Sequence, residues 1–173
     1  MRTIVWFRGK DLRVRDHQAL WTASQGGEVI PVFVLDPYFF SPERAQQLPH
    51  RMQFLLDSLS ELGDALRALG SRLVLVEGKS TEVVPKLVDA WGADRVLAHR
   101  WVEPFGRKRD AMIAERLGDK FVLVEGEMLA APESVRTKGG TPYGVFTPFS
   151  RAFASAVRVE QTLPRPTALP PVP

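Results

Sequence analysis

Five short apolar segments alternate with helical segments along the chain, and this alternation limits the possible folds more than any other feature. The apolar segments are Thr3–Phe7, Val29–Leu35, Leu73–Glu77, Arg95–His99 and Phe121–Glu125. Each is rich in Val, Leu or Ile and nearly continuous in its hydrophobicity, as is typical of strands buried on both faces of a parallel sheet. Because repeated strand–helix units have right-handed crossovers, we predict a doubly wound, Rossmann-like α/β fold. It has a five-stranded parallel sheet with helices on both faces.

One helix is predicted after each strand. The predicted helices are Asp16–Ser24, His50–Leu69, Thr81–Trp91, Gly106–Leu117 and Pro148–Val157. The longest carries its leucines on one stripe at helical spacing, which indicates a helix packed on a core. The predicted N-caps are Asp16, Thr147, and either Ser80 or Thr81. Side chains of these types accept hydrogen bonds from the free N–H groups of the first helical turn.

The last residues of the chain, Thr162–Pro173, are dominated by proline. Proline lacks a backbone N–H and fixes φ, so this segment is not expected to form a helix or a central strand. We therefore expect an α/β domain over residues 1–160 and an extended, proline-rich linker over residues 161–173. A linker at this place predicts a further domain that this chain lacks.

Composition excludes several classes of chemistry. The absence of cysteine rules out disulfides, thiolate catalysis and cysteine metal sites. His17, His50 and His99 are scattered without metal-ligand spacing, so no metal site is predicted. No nucleophile-elbow motif supports serine catalysis, and no catalytic residue is predicted. The net charge of +3 is compatible with an anionic partner but does not require one.

The N-terminus does not have the pattern of a signal peptide, because Arg8 and Lys10 interrupt the first apolar run. No later run is long enough to span a membrane. We therefore expect a cytoplasmic protein without membrane contact, and we expect it to be a monomer.

Charged side chains follow the first predicted strand, where an alternating α/β protein presents its ligand crevice. Arg8, Asp11 and Arg13 lie in this turn. The turn has neither Gly-x-Gly-x-x-Gly nor a phosphate-loop motif, so arginine side chains rather than backbone amides would hold an anion. A solvated cluster of ion pairs is the alternative. Arg51, near the start of the longest predicted helix, either faces the same crevice or lies on the surface.

Two further strand ends carry candidate ligand contacts. Asp36 follows the second strand and could accept a hydrogen bond from a ribose, ribityl or ring N–H group, or could simply begin an Asp-Pro turn. After the fourth strand, Trp101 could stack on a planar heterocycle to which Glu103 is hydrogen-bonded. An ordinary loop with an exposed tryptophan is the alternative there.

Three segments resemble the DNA photolyase and cryptochrome family. Val5–Leu20 resembles the family's opening Trp-Phe-Arg-Arg-Asp-Leu-Arg-x-x-Asp-Asn-x-Ala-Leu. Glu103–Asp110 is similar to Glu-Pro-Tyr-x-x-x-Arg-Asp, and Tyr143–Arg151 is similar to Tyr-x-Val-Phe-Thr-Pro-Phe-x-Lys/Arg. The match covers essentially the whole chain in the correct order. The chain is therefore identified as a member of this family, and the resemblance implies that it is the N-terminal α/β domain of a deoxyribodipyrimidine photolyase.

The resemblance implies that this domain holds an antenna chromophore, which in the family is a folate, a deazaflavin or flavin mononucleotide (FMN). Its excitation would pass to FAD in a helical C-terminal domain, and reduced FAD would split a cyclobutane pyrimidine dimer in damaged DNA. The domain alone would bind DNA weakly or not at all and would not be catalytically complete. The alternatives are a cryptochrome-type blue-light receptor without repair activity and a stand-alone flavin- or nucleotide-binding protein.

The resemblance also assigns roles to individual positions. Antenna contacts are expected at Phe33, Leu35, Asp36, Arg51, Trp101 and Glu103, with Arg8 at the border of the crevice. Structural or interdomain roles are expected for Asp11, Arg13, Asp16, Arg109 and Asp110.

The chain also departs from the family pattern. Gly9 and Lys10 stand where the family has a single residue, so the first loop is one residue longer. His17 and His99 occupy positions that the family often fills with Asn. Because a folate site often uses the second of these Asn residues, the resemblance favours FMN or deazaflavin over folate.

Overall fold

The centre of the protein is a parallel sheet of five strands, seen in a computed structural model that describes residues 1–131, 133–159 and 161–173. The strands are β1 (Arg2–Phe7), β2 (Glu28–Leu35), β3 (Val74–Glu77), β4 (Arg95–His99) and β5 (Phe121–Val124). Their spatial order is β3-β2-β1-β4-β5. All neighbouring strands pair in parallel. The predicted doubly wound α/β class is therefore confirmed.

The helices of the described residues are α1 (Gln18–Ser24), α2 (Pro37–Phe40), α3 (Pro42–Gln47), α4 (Pro49–Ala68), α5 (Ser80–Ala90), α6 (Pro104–Leu117) and α7 (Phe146–Ala156). A 3-10 turn, Gly118–Lys120, leads from α6 into β5. Every predicted strand and helix is present, with bounds within two residues of the prediction. None of these helices combines the length and the hydrophobicity that a membrane crossing requires.

Two short helices, α2 and α3, are not predicted by the sequence analysis. Each begins with a proline, Pro37 or Pro42, which suits the first helical turn because its missing N–H is not needed there. Asp36 caps α2 by accepting a hydrogen bond from the N–H of Tyr38 at 3.0 Å. Ser41 caps α3 in the same way. Helices of four and six residues are too short to show a helical hydrophobic period.

The N-terminus of α1 differs from the prediction, because His17 and not Asp16 is its cap. The Nδ1 atom of His17 accepts a hydrogen bond from the N–H of Leu20 at 3.1 Å. Asp16 instead has φ of +52°, in the left-handed region. Its carboxylate is bonded to the tail, where Oδ1 accepts from the N–H of Leu163 at 3.1 Å. The prediction of Asp16 as the N-cap was wrong because its carboxylate bonds to Leu163, a partner too distant in the sequence for a local capping pattern to reveal.

The caps predicted for α5 and α7 are also wrong. Ser80 and Thr81 lie inside α5, whose N-cap is Lys79 and has no side-chain hydrogen bond. The hydroxyl of Ser80 is used elsewhere, as described below. Thr147 lies inside α7, whose N-cap is Val145, also without a side-chain hydrogen bond.

The sheet separates two apolar cores, and β1 contributes to both. Val5 and Phe7 pack with residues of α1 and α4, whereas Ile4 and Trp6 pack with residues of α5 and α6. Alternate residues of a strand point to opposite faces, so a strand in the middle of the sheet is apolar at every position. This arrangement explains why the apolar run of β1 is continuous. It also places helices on both faces, as predicted.

The proline-rich tail is extended, and it lies against the α/β body. Leu169 is only 5% exposed within the α1/α4 core, and Pro166 is also buried. The N–H of Leu169 donates to the carbonyl of Leu69 at 2.7 Å. The predicted domain boundary at residue 160 lies outside the described residues, and the role of the tail as a linker stays a prediction. Its packing on the core is not indicated by its composition.

Candidate functional site

A cavity of about 630 Å³ lies at the carboxyl ends of β1, β2 and β4. The chain leaves β1 toward β2 on one side and returns to β4 on the other, so this is the point where strand order reverses. Open α/β sheets bind their ligands at such a point. The cavity's aromatic lining consists of Trp6, Phe7, Phe33, Tyr38, Phe39, Phe40, Phe54 and Trp101. Its charged lining consists of six basic residues and one acid: Arg8, Lys10, Arg13, Arg44, Arg51, Arg109 and Asp36.

The helices α2, α3 and α4 form one wall of this crevice. Phe40 of α2 packs edge-on against Phe33 of β2, with ring centroids 5.8 Å apart. Arg51 and Leu55 line the wall from α4. Because α2 and α3 are absent from the sequence prediction, Phe40 and Arg44 are functional candidates that it missed. The Pro37 and Pro42 signals for helix starts were available in the sequence.

The structure brings most of the predicted antenna contacts together. Those that line the cavity are Arg8, Phe33, Asp36, Arg51 and Trp101. Leu35 does not line it and packs instead against the α1/α4 core. Glu103 is likewise absent from the lining, and its carboxylate forms an ion pair with Lys10.

Asp36 holds the turn after β2 through three hydrogen bonds. Its Oδ2 accepts from the N–H and the hydroxyl of Ser80, at 2.8 and 2.7 Å. Its Oδ1 accepts from the N–H of Tyr38. Of the two roles considered for Asp36, its carboxylate fills the structural one, because it holds the Asp-Pro turn. The residue also lines the cavity.

Two buried arginines share one buried carboxylate on the floor of the crevice. Arg8, Arg109 and Asp110 are 3%, 7% and 3% exposed. Nη1 of Arg8 donates to both carboxylate oxygens of Asp110, at 3.0 and 2.9 Å. Nε and Nη2 of Arg109 donate to Oδ1 of Asp110 at 2.9 and 2.8 Å. Burial lowers the pKa of Arg109, and the positive charge of Arg8 lowers it further.

These guanidinium groups lie between two indole rings. The guanidinium of Arg109 is 4.7 Å from the ring centroid of Trp6 and 4.6 Å from that of Trp101. Arg8 lies 5.1 and 5.5 Å from the same two rings. Distances below about 6 Å give attractive cation–π contacts. Trp101 also packs on Gly106 of α6, where even a methyl group would collide with its ring.

The one-residue extension at Gly9 and Lys10 places a cation at the mouth of the crevice. Lys10 pairs with Glu103 of the β4–α6 loop and lies 5.5 Å from the ring centroid of Trp101. The extra residue therefore connects two of the three strand ends that form the crevice.

The loop after β1 is held in place by hydrogen bonds to other parts of this chain. Nε of Arg13 donates to the carbonyl of Asp16 at 3.0 Å, and its Nη2 donates to the carbonyl of Gly126 at 3.1 Å. Asp16 is in turn bonded to Leu163 of the tail. Arg13 and Asp16 thus have structural contacts inside this chain, and an interdomain role for them stays a prediction.

Asp11 is the centre of a buried cluster with His17 and His99. One carboxylate oxygen, Oδ1, accepts from the N–H of Arg8 at 2.5 Å. The other, Oδ2, lies 3.0 Å from Nδ1 of His99 and 3.7 Å from Nε2 of His17. The two imidazole rings are in contact, with centroids 4.3 Å apart. The histidines are scattered in the sequence, but the sheet brings β4 next to β1 and so joins them.

This cluster also sets the protonation of its members. Burial lowers the pKa of His17 to about 3, so its imidazole is neutral near pH 7. Burial alone would raise the pKa of Asp11, but the hydrogen bond with His99 and the nearby His17 lower it overall. Potential metal-ligating atoms of the three residues lie within 4.8 Å of one another. At 3.0 Å, however, the Asp11–His99 contact has the length of a direct hydrogen bond.

Comparisons with known proteins agree with this fold. The profile of the DNA photolyase family matches residues 3–171. A deoxyribodipyrimidine photo-lyase of Agrobacterium fabrum is 38% identical over 153 residues, which cover 86% of this chain and 31% of that protein. An enzyme of the same name from Thermus thermophilus is 37% identical over 167 residues, covering 96% of this chain and 36% of that protein. The chain thus spans about a third of the length of these relatives.

Solved structures extend the comparison. A class III photolyase from Agrobacterium tumefaciens has a TM-score of 0.84 at 34% identity, covering 99% of this chain and 35% of that one. A cryptochrome from Synechocystis has a TM-score of 0.87 at 25% identity, covering 99% and 37%. An archaeal photolyase from Sulfolobus tokodaii, solved with two FAD molecules, has a TM-score of 0.81 at 28% identity, covering 99% and 39%.

Proposed function

Because this chain belongs to the DNA photolyase family, we propose that it is the light-harvesting domain of a DNA-repair photolyase. When bound, a chromophore in the crevice supplies light absorption and excitation transfer to FAD on a further domain, where reduced FAD splits a cyclobutane pyrimidine dimer. The role of this chain is to bind and orient that chromophore. In this proposal the catalytic centre of the photolyase lies on the further domain and not on this chain.

The crevice at the carboxyl ends of β1, β2 and β4 is the observation that carries this proposal. Its volume of about 630 Å³ lies in the range of small-molecule and cofactor sites, which are mostly apolar with a few placed polar groups. Aromatic residues of the lining such as Tyr38, Phe40 and Trp101 offer apolar surface to a planar heterocycle. The buried guanidinium groups of Arg8 and Arg109 add polar anchors.

A flavin-type chromophore, FMN or deazaflavin, is the class that we propose. The Sulfolobus tokodaii photolyase was solved with two FAD molecules and is described as implying a novel light-harvesting cofactor. The position that often serves folate is His99 here, which is fully buried and bonded to Asp11. It does not line the cavity. The six basic lining residues favour an anionic ligand.

A filled-cavity variant tests the proposal. Leu55 lines the crevice, whereas its neighbour Leu56 is exposed and does not. Leu55→Trp should reduce the affinity for FMN at least about tenfold, equivalent to ~1.4 kcal/mol, because the larger ring occupies the ligand's space. Leu56→Trp is the matched control and should bind FMN like the wild type. Calorimetric titration measures both. Absence of FMN and deazaflavin binding by the wild type, or equal affinity in the two variants, would overturn the proposal.

A cryptochrome-type light receptor is the second candidate function. The Synechocystis cryptochrome, with a TM-score of 0.87, supports it directly. Repair of dimer-containing DNA under blue light by the full-length protein would decide for the photolyase. Photoreduction of its FAD without repair would decide for the cryptochrome.

The partners of the full-length protein follow from the same proposal. We expect damaged DNA to be bound through the further domain, and we expect this chain to be monomeric and cytoplasmic. The 173-residue chain should then show no preference for dimer-containing DNA in a gel-shift assay. A clear preference would assign lesion recognition to this domain.

A further inference from the structure

Arg8 carries a complete hydrogen-bonding edge that none of the described residues uses. Its Nη1 makes both bonds to Asp110. Its Nε and Nη2 are buried and have no hydrogen-bond partner within residues 1–131, 133–159 and 161–173. These two nitrogens lie side by side on one edge of the planar guanidinium. Such an edge fits two oxygens of a carboxylate or phosphate.

An unused edge of this kind is costly in a folded protein. Buried donors are almost always paired, and a charged group without partners is penalised more than a neutral one. Arg8 nevertheless lines the cavity while being only 3% exposed. Arg8 thus belongs both to the buried interior and to the cavity lining, and its free donors lie beneath the cavity surface.

The two buried arginines outnumber the one carboxylate to which both side chains donate. The carboxylate of Asp110 is shared by two guanidinium groups, because Arg109 donates to it with Nε and Nη2. The three side chains together carry one net positive charge. Glu127 is a further acid near Arg8; burial raises its pKa, whereas the positive charges of Arg8 and Lys10 act to lower it. Its Oε1 is also buried without a partner in the described part of the chain.

We propose that the Nε/Nη2 edge of Arg8 is an oxyanion subsite, and that it takes the phosphate group of a flavin mononucleotide in the crevice. The inference rests on the proposed function and deepens it, since it names the part of the ligand that is recognised. Trp6 and Trp101 exclude water around the guanidinium and hold its position through cation–π contacts. Arg109 adds positive charge, but its own Nε and Nη2 are already used.

Ligands with and without phosphate provide the test. Calorimetric titrations of the 173-residue chain compare FMN with riboflavin, which has the same ring and ribityl chain but no phosphate. FMN should bind at least about tenfold more tightly, because a charge-assisted, two-point hydrogen bond is among the stronger polar contacts. In Arg8→Lys the advantage should disappear, since lysine keeps a charge for Asp110 but lacks the edge. Arg116→Lys, an exposed change on α6 outside the crevice, should preserve it.

A second measurement needs no substitution. The ¹⁵N–¹H resonance of Arg8 Nε should shift saturably when inorganic phosphate is added to the wild type, and this result would support the subsite even if Arg8→Lys folds poorly. An unshifted resonance, or equal affinities for FMN and riboflavin, would overturn the subsite. If riboflavin binds and FMN binds no more tightly, the subsite is overturned but the proposed function stands. If inorganic phosphate binds but neither flavin does, the proposed function is contradicted, and the assignment of this edge to a flavin phosphate is overturned with it.

Glu127 is the internal group that could compete for the same edge. If its carboxylate occupied Arg8, the wild type would bind no phosphate and Glu127→Gln would bind it, which would overturn the proposal. If the edge is open, Glu127→Gln should bind phosphate and FMN at least as tightly as the wild type. Removing a nearby negative charge favours an anion.

Discussion

Replacing His17 with Asn should remove a large part of the protein's sensitivity to mild acid. His17 is buried against Phe7 and His99, with ring centroids 4.6 and 4.3 Å away. It caps α1 through Nδ1, and Asn is also a favourable N-cap residue. His17→Asn therefore keeps a capping group while removing a titratable one.

The sign and size of the effect follow from the pKa of His17, which burial lowers from 6.5 to about 3. Between these values the unfolded chain binds a proton that the folded chain does not, so stability falls as the pH decreases. The resulting loss is about 0.2 kcal/mol at pH 7 and about 2 kcal/mol at pH 5. This loss corresponds to a fall in Tm of about 4–8 °C between the two pH values. Asp11, whose pKa is lowered, stays ionised throughout this window.

Urea unfolding followed by tryptophan fluorescence at pH 7 and pH 5 measures the change. We expect the difference between the two pH values to be about 2 kcal/mol smaller in His17→Asn than in the wild type. His50→Asn, a change of the same type at an exposed position, is the control and should retain the wild-type difference. Glu127, whose pKa burial raises, is present in all three proteins, so its contribution cancels in the comparison. An unchanged pH dependence in His17→Asn would refute a neutral, buried His17.

Two further substitutions test the packing described above. Asp110→Asn leaves two buried guanidinium groups without their carboxylate, so it should lower the free energy of unfolding in urea by about 3–5 kcal/mol. Asp119→Asn, on the exposed 3-10 turn, is its control and should change this free energy by less than about 0.5 kcal/mol. Leu169→Ala should cost about 2–5 kcal/mol, because Leu169 is buried in the α1/α4 core. Thr167→Ala, at a nearby exposed position of the tail, is its control, and equal stabilities of the two variants would mean that the tail is not packed in solution.

The candidate site could be partly predicted because parallel sheets obey a general rule. The residues after β1, β2 and β4 were proposed from sequence alone, since strand ends meet at one edge of an α/β sheet. Arg8, Asp36 and Trp101 do line one cavity. The rule does not tell which way each side chain points. Leu35 packs into the core, and Glu103 pairs with Lys10, although both lie at the predicted strand ends.

The sequence by itself determined the order, type and approximate bounds of the main strands and helices. It could do so because apolar runs and helical stripes are local patterns that survive without knowledge of the partners. The family resemblance is also local, since it rests on continuous motifs.

Only the tertiary structure decided the contacts between residues far apart in the chain. It joined His99 to Asp11 across 88 positions, bonded Asp16 to the tail and placed Arg109 between Trp6 and Trp101. These contacts depend on which strands are neighbours and on which face each side chain occupies. No local pattern records that information, so the free edge of Arg8 becomes visible only in the folded protein.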